Sequence, residues 1–283
     1  MTGRSIPPPF PAGSIPDGTG LLVVGHGTAD RTGADETRRL VDRVRAELPG
    51  TRVELGFLEV IGPTVAESLA VLREQGCREI IAVPLLLFTA GHAKRDLPAA
   101  LAEKSGGDGA PRIRQAGALG AHPQMVALSR RRRKETRDCL APMPAVNEAL
   151  VFIGRGASDP GAAAQLEGFL AATLDFAKGH DAPVGRTWVG FVAAARPSVE
   201  EALETAAVAV PPPHRVLVQP HLLFSGRVEE QLHESVAAAR QRHPAVEWVV
   251  VPRLGPEPEV ARALIARAEA VVGAVDCDGA QRP

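Results

Sequence analysis

Short apolar runs alternate with helix-like patterns along most of the chain. Leu21–Val24 is apolar and a glycine-rich turn follows it, after which Leu40, Val41, Val44 and Leu48 fall on one helical face. Later runs such as Ile80–Leu87 are apolar throughout, which is typical of strands buried on both faces of a parallel sheet. The pattern therefore predicts alternating β and α elements, the order found in α/β proteins.

The whole pattern occurs twice. Four blocks recur in the same order at offsets of 129 to 136 residues, which indicates a duplicated domain. The blocks and their counterparts are LLVVGHGTAD (21–30) and LVFIGRGASD (150–159), GFLEVIGPT (56–64) and GFVAAARPS (190–198), AVPLLLF (82–88) and VQPHLLF (218–224), and GALGAHPQM (117–125) and PRLGPEPEV (252–260).

The repeat defines the expected organisation of the chain. The predicted strands are Leu21–Val24, Val53–Leu58, Ile80–Leu87 and Ile113–Ala116, then Leu150–Ile153, Thr187–Val192, Val216–Leu223 and Trp248–Val251. Thr64 and Ser198, each with a glutamate three residues later, predict helix starts of the capping-box type. We expect two lobes with parallel sheets at 20–140 and 148–272. The other segments are a disordered leader (1–19), a linker (139–148), and a tail (273–283).

Composition narrows the functional classes. Of 283 residues, 45% are hydrophobic and 23% charged, so the chain can bury a core. The net charge of −1 and the 4% aromatic content, without tyrosine, argue against nucleic-acid binding. No apolar run is long enough to span a membrane. The three cysteines lie far apart, which fits neither a metal site nor a disulfide framework and favours a reducing cytoplasm.

Three polar side chains follow predicted strands of the first half. His26 comes after the first strand, Glu59 after the second and His92 after the third. Ligands of open α/β sheets bind beyond the carboxyl ends of the strands, where these residues should gather. Two imidazoles and a carboxylate suit a transient divalent-metal site or a proton-transfer site.

The second half keeps the frame but changes these groups. Arg155 stands in place of His26, Ala193 in place of Glu59 and Arg227 in place of His92. Arginine neither ligates metals nor acts as a base, so the second half does not repeat the site. Arg155 and Arg227 either bind ligand carboxylates or form ordinary ion pairs in their loops.

Two further histidines and a run of cations are also candidates. His122 either lines the cleft or caps a helix, and His221, at the position of Leu85, is predicted as a hydrogen-bonded core histidine within a strand. Arg130–Arg133, followed by Lys134, are predicted to surround a solvated helix, with an anion contact as the alternative.

The stretches LLVVGHGTAD, GFLE and PLLLFTAGHAKRDLP resemble the long, two-domain form of the sirohydrochlorin chelatases, over about 20–272. The resemblance implies two flavodoxin-like lobes around a central cleft. It also implies insertion of Co²⁺ or Fe²⁺, with Ni²⁺ as a further candidate, into sirohydrochlorin in cobalamin or siroheme biosynthesis. The metal would be a substrate, with no permanently bound cofactor. ATP independence fits the lack of a GxxxxGK[ST] motif.

The resemblance also implies roles for individual residues. His26 and His92 would be the catalytic and metal-binding histidines, with Glu59 as their acidic partner. Because sirohydrochlorin is rich in carboxylates, Arg155, Arg227 and Lys94 are candidate substrate clamps. The expected partners are therefore the tetrapyrrole and a metal ion, without nucleic acid or membrane. The expected state is a monomer with pseudo-two-fold lobes, or a dimer.

Two other functions remain open at this point. A carrier of metal or tetrapyrrole would use the same ligands as a chelatase but would bind one equivalent without turnover. A histidine phosphatase is a more distant alternative, because Gly25 stands where that class places an arginine before the histidine.

Overall fold

The structure, a computed structural model, is an α/β fold with two four-stranded parallel sheets in its described part. The described residues are 15–88, 96–102, 110–157, 159, 161–175 and 185–279. In the first sheet the strand order is β2-β1-β3-β4, and in the second it is β6-β5-β7-β8. The strands are β1 Thr19–Gly25, β2 Arg52–Phe57, β3 Glu79–Pro84, β4 Arg112–Gln115, β5 Glu148–Gly154, β6 Arg186–Phe191, β7 Arg215–Pro220 and β8 Glu247–Val250.

Helices connect the strands in both halves. They are α1 Arg31–Glu47, α2 Val65–Glu74, α3 Asp96–Ala102, α4 Pro123–Asp138, α5 Gly161–Leu174, α6 Val199–Ala207, α7 Arg227–Arg242 and α8 Pro258–Gly279, with a short 3₁₀ helix at Ala145–Asn147. In the described residues, no helix is both long and apolar enough to cross a membrane. The predicted α/β fold with two parallel-sheet lobes is thus confirmed.

Both predicted capping boxes are present with the same geometry. The hydroxyl of Thr64 accepts from the backbone N–H of Glu67 at 3.2 Å, and the Glu67 carboxylate accepts from the N–H of Thr64 at 2.7 Å. Ser198 and Glu201 repeat these bonds at 3.2 and 2.7 Å. These bonds satisfy N–H groups that lack partners within the helix, and they fix where α2 and α6 begin.

Some predicted boundaries were wrong. β3 ends at Pro84 and β7 at Pro220, three residues before the ends expected from the apolar runs. The apolar residues after these strand ends, such as Leu85 and Leu223, belong to loops that pack into the core. Their burial therefore does not indicate pairing within a sheet. At the amino end, Ile15 is buried in the core although it was expected in the leader. At the other end, α8 continues into the expected tail as far as Gly279.

The last helix of each half packs on the other half. In α4, the buried Arg133 donates to the side chain of Gln219 in β7 at 3.0 Å and to the carbonyl of Thr173 in α5 at 3.2 Å. In α8, Arg267 donates to the carbonyl of Leu119, in the first half, at 2.7 Å. One apolar core therefore runs between the sheets and joins residues of β1 and β5.

This packing overturns the prediction that Arg130–Arg133 surround a solvated helix. Arg131 binds Glu257 at 2.8 Å and Glu259 at 3.0 Å, and Arg132 also binds Glu257, at 2.7 Å. Together with the buried Arg133, these arginines lie where α4 meets the start of α8. The run of cations is a junction between the lobes, because acidic residues of the second half neutralise it.

Candidate functional site

Two of the predicted site residues lie together at the carboxyl edge of the first sheet. The hydrogen-bond ladder continues past the strands, because Leu58 donates to the Gly25 carbonyl and Glu59 to the His26 carbonyl, both at 3.0 Å. This register places Nε2 of His26 2.9 Å from Oε1 of Glu59. The two side chains are 48% and 59% exposed, so the pair is open to ligands.

Gly27 allows the two turns to approach this closely. Its φ is +102°, and a Cβ atom there would lie 1.9 Å from the carbonyl oxygen of Glu59. Gly156 has the same relationship to Ala193 in the second half, with φ of +86° and a distance of 1.7 Å. Any side chain at Gly27 would push the His26 and Glu59 turns apart. Gly27 recurs as Gly156 in the repeat, which is the signal in the sequence for this close approach.

The His26–Glu59 pair has a defined chemistry. When Nε2 carries the proton and donates to Glu59, Nδ1 presents a lone pair that can bind a metal ion or accept a proton. The carboxylate also stabilises the imidazolium that proton uptake produces. Among the described residues, no group of three His, Cys, Asp or Glu side chains could hold a metal ion. His26 and Glu59 supply two candidate ligands.

His92 and Lys94, the other candidates of the first half, lie outside the described residues. Two backbone hydrogen bonds fix the residues that precede this segment. The N–H of Leu119 donates to the carbonyl of Leu86, and the N–H of Gly120 donates to the carbonyl of Leu87. Phe88 is the last described residue before this segment. The roles of His92 and Lys94 therefore stay predictions.

The second half presents Arg155 and Arg227 at the matching positions. Arg155 follows β5 directly, and Arg227 is the first residue of α7. Both side chains are exposed, and within the described part of the chain neither forms an ion pair or a side-chain hydrogen bond. The alternative of ordinary loop ion pairs therefore has no support from the described residues. As far as the described residues show, the guanidinium groups are available to a ligand.

The carboxyl edges of the two sheets face each other. Ser225, in the loop after β7, donates from its hydroxyl to Oδ2 of Asp30 at 3.0 Å. A Cβ atom on Gly33 would lie 2.5 Å from the Ser225 carbonyl, so this loop lies directly against the first turn of α1. The histidine–carboxylate pair of one lobe and the loop that leads to Arg227 of the other thus border the same region between the lobes.

The structure also describes two further histidines, His122 and His221. His122 is the N-cap of α4, where Nδ1 accepts from the backbone N–H of Gln124 at 3.3 Å, so of its two predicted roles the structure shows the capping one. Burial, with a smaller effect from Arg267, lowers the pKa of His122. His221 is buried as predicted, but it lies beyond the end of β7.

His221 also differs from the prediction in its hydrogen bonding. Neither of its ring nitrogens has a hydrogen-bond partner within the part of the chain that the structure describes. Its neighbours are the rings of Phe88, Phe152 and Phe169, with centroids at 5.1, 5.6 and 4.1 Å. Burial lowers the pKa of His221 to about 3, so the ring is neutral near pH 7.

Comparisons with known proteins agree with the duplication. The CbiX family model matches residues 20–136 and again residues 149–271. The sirohydrochlorin cobaltochelatase of Priestia megaterium is 27% identical over 252 residues, which is 88% of this chain and 78% of that protein. The sirohydrochlorin ferrochelatase of Bacillus subtilis is 26% identical over 226 residues, 80% of this chain and 82% of that protein.

The fold also matches a solved structure. The sirohydrochlorin chelatase SirB from Bacillus subtilis subspecies spizizenii, in complex with cobalt, superposes with a TM-score of 0.72. It is 25% identical, and the match covers 90% of this chain and 95% of that one. The similarity therefore extends over both lobes.

Proposed function

Because the chain belongs to the CbiX family, we propose that it inserts a divalent metal ion into sirohydrochlorin without ATP. The relatives named above are a cobaltochelatase and a ferrochelatase, so Co²⁺ and Fe²⁺ are both candidate substrates. The observation that carries the proposal is the exposed His26–Glu59 pair, with 2.9 Å between Nε2 and Oε1, at the carboxyl edge of the first sheet.

Metal insertion requires two tasks of the protein. It must hold a partly dehydrated metal ion against the face of the ring, and it must remove the protons of two pyrrole nitrogens. The Nδ1 lone pair of His26 can perform either task, while Glu59 holds the imidazole of His26 in the required tautomer. When His26 takes a pyrrole proton, the resulting imidazolium donates from Nε2 to the Glu59 carboxylate. We propose His92 as the second histidine of this site.

An open site suits a reaction in which the metal leaves with the product. A closed set of four ligands would retain the ion, whereas two exposed ligands leave positions for water and for the ring nitrogens. The exposure of both side chains fits such a loose site. The metal is accordingly a substrate, and no permanently bound cofactor is part of the proposal.

The second lobe would hold the tetrapyrrole by its carboxylates. Arg155 and Arg227 are exposed and free of ion pairs within the described residues. Guanidinium groups bind carboxylates by paired, charge-assisted hydrogen bonds. With Arg155 and Arg227 on one side and His26 and Glu59 on the other, the ring would lie across the region between the lobes. Lys94 is proposed as a third clamp.

One chain supplies both sides of this cleft, so a monomer is sufficient, although the proposal also allows a dimer. We place the reaction in the cytoplasm. The free thiols of Cys77 and of the exposed Cys139 support a reducing compartment.

The decisive test is turnover. Anaerobic absorbance spectra of sirohydrochlorin with Co²⁺ or Fe²⁺ are followed at catalytic enzyme concentration and compared with the spontaneous reaction. Many metal insertions per enzyme molecule are expected, and the two rates give the metal preference. Binding of one equivalent of metal or tetrapyrrole without turnover would instead identify a carrier, and the chelatase proposal would be abandoned.

A further inference from the structure

A buried carboxylate of the first lobe is neutralised mainly by the second lobe. The side chain of Glu36, on α1, is only 7% exposed. Oε1 accepts from Nη2 of Arg253 at 2.5 Å, and Oε2 accepts from the backbone N–H of Ser225 at 2.9 Å. On its own helix the nearest cation is Arg39, at 3.7 Å. Because a desolvated carboxylate needs close partners, Glu36 is satisfied only when the lobes are together.

Arg253 connects this carboxylate to the helix that begins with Arg227. While its Nη2 atom binds Glu36, its Nη1 atom donates to both carboxylate oxygens of Glu229, at 2.8 and 2.9 Å. Glu229 lies in the first turn of α7, two residues after Arg227. One guanidinium therefore joins α1 of the first lobe to α7 of the second.

The neighbouring contacts fix the same two segments. Asp30 caps α1 through Oδ1, which accepts from Thr32 at 2.7 Å, and its Oδ2 accepts from the Ser225 hydroxyl at 3.0 Å. Asp30 lies four residues after His26 in the same turn, and Ser225 lies two residues before Arg227. The contacts thus tie the turn of His26 to the loop of Arg227. We call Asp30, Glu36, Ser225, Glu229 and Arg253 the inter-lobe latch.

The ion pair at the centre of the latch, Glu36–Arg253, has no charged counterpart in the repeat. In the repeat, Glu36 corresponds to Gln165 and Arg253 to Ala118, neither of which carries a charge. The duplicated frame therefore folds without this ion pair at its second, equivalent position. Because the fold does not require this ion pair at both positions, the Glu36–Arg253 pair is a candidate for a functional role at the position where it occurs.

We propose that Arg253 is a positioning residue that holds Arg227 at a fixed place relative to the His26–Glu59 pair. The inference rests on the proposed function, in which Arg227 binds a carboxylate of the tetrapyrrole. Arg253 touches neither substrate; it acts through Glu229, which orients the first turn of α7, and through Glu36, which anchors that turn to α1. The bound tetrapyrrole is thereby positioned over His26. This matters because a catalytic group is effective only when it is correctly placed and oriented relative to the reacting atoms.

A double-mutant cycle on tetrapyrrole binding tests this inference. The dissociation constant of metal-free sirohydrochlorin is measured by absorbance titration for wild type, Arg253→Met, Arg227→Ala and the double variant. We expect Arg253→Met to weaken binding roughly tenfold and to add almost nothing in the Arg227→Ala background. Arg43→Ala, an exposed arginine of α1, is the matched control and should bind like wild type.

Loss of affinity by the same factor in both backgrounds would overturn the proposal, as would unchanged affinity in Arg253→Met. If Arg253→Met does not fold, Glu36→Gln takes its place, because glutamine keeps the shape and the acceptor for Ser225 while removing the charge. The cycle needs no turnover. If the wild type binds sirohydrochlorin but never inserts metal, the proposed chelatase function is wrong, and the mutant cycle still tests the role of Arg253. If the wild type does not bind sirohydrochlorin, the proposed function and the role of Arg253 are both wrong.

Discussion

Nε2 of His26 lies 2.9 Å from Oε1 of Glu59, across the carboxyl ends of two adjacent parallel strands. The pair follows from topology, since β1 and β2 are neighbours and the ladder between them continues to His26 and Glu59.

The first prediction concerns the carboxylate of Glu59. Glu59→Gln keeps the shape but removes the charge that orients and stabilises His26. We expect the rate of metal insertion to fall about 10- to 100-fold, by analogy with the loss of partners of metal-ligating histidines.

The measurement for Glu59→Gln is steady-state insertion of Co²⁺ at saturating sirohydrochlorin. A variant that retains the wild-type rate and the wild-type KM for metal would show that Glu59 has no part in the reaction. Sirohydrochlorin affinity should stay unchanged, because Glu59 is not among the proposed carboxylate clamps.

Gly27 provides a second prediction. Gly27→Ala would place Cβ 1.9 Å from the Glu59 carbonyl and would also hold alanine at a φ of +102°. The turns of His26 and Glu59 must then separate, so we expect insertion activity to be lost together with stability. Gly50→Ala is the control, because Gly50 has a φ of +91° but no atom within 4 Å of its Cβ position.

Urea unfolding and metal-insertion assays of these two variants separate two effects: the backbone strain of alanine at a positive φ, which both share, and the steric clash with the Glu59 carbonyl, which only Gly27→Ala has. Gly50→Ala should lose only about 1–2 kcal/mol of unfolding free energy, the cost of a left-handed backbone, and should keep its activity. Equal behaviour of Gly27→Ala and Gly50→Ala would contradict the role assigned to the close approach.

The arginines of the second lobe provide a third prediction. Arg155→Ala and Arg227→Ala should each raise the KM for sirohydrochlorin about tenfold or more, since a hydrogen bond to a charged group contributes about 1.5–3 kcal/mol. The KM for the metal ion should not change, because arginine does not ligate metals. Insertion kinetics with each substrate varied in turn distinguish the two effects. Unchanged sirohydrochlorin KM in both variants would remove them from the binding site.

His221 provides a fourth prediction, which concerns stability. The equivalent position in the first half is Leu85, so the fold accepts leucine there. His221→Leu removes a buried ring that has no hydrogen-bond partner among the residues that the structure describes. We expect the variant to be at least as stable as wild type at pH 7. A loss of more than about 1.5 kcal/mol in urea unfolding, beyond the usual cost of volume-conserving core substitutions, would mean that the imidazole has partners.

The same variant should change the pH dependence of unfolding. The pKa of His221 is about 3 in the folded state and near its ordinary value of 6.5 in the unfolded state. Between these values the unfolded chain binds a proton that the folded chain does not, so wild type loses stability as the pH falls. The loss is about 1.4 kcal/mol per pH unit. His221→Leu should lack it, so its advantage should grow from pH 7 to pH 5.

The sequence was sufficient for the features that depend on local pattern or on the repeat. The Thr64 and Ser198 helix starts follow from residues three positions apart, and the parallel sheets follow from apolar runs that alternate with helices. The meeting of His26 and Glu59 follows from the general rule that ligand groups gather at the carboxyl edge of such sheets.

Features that join distant segments could not be predicted in this way. The partners of Glu36 lie 189 and 217 residues away, and nothing in a 3.6-residue period specifies them. The prediction that Arg130–Arg133 surround a solvated helix is wrong for the same reason, because Glu257 and Glu259 reach this run only after α8 packs on α4. His221 shows a different limit, since an apolar neighbourhood predicts burial but not whether the ring nitrogens find partners.

The central claim is that the His26–Glu59 pair carries out metal insertion. The most direct test compares His26→Ala with His214→Ala, an exposed histidine before β7 at the opposite edge of the second sheet. Anaerobic Co²⁺ insertion into sirohydrochlorin is measured together with sirohydrochlorin affinity. We predict that His26→Ala loses at least about 100-fold in rate, the scale of general acid–base catalysis, with unchanged sirohydrochlorin affinity, while His214→Ala retains full activity. A folded His26→Ala variant that inserts metal at the wild-type rate would contradict it.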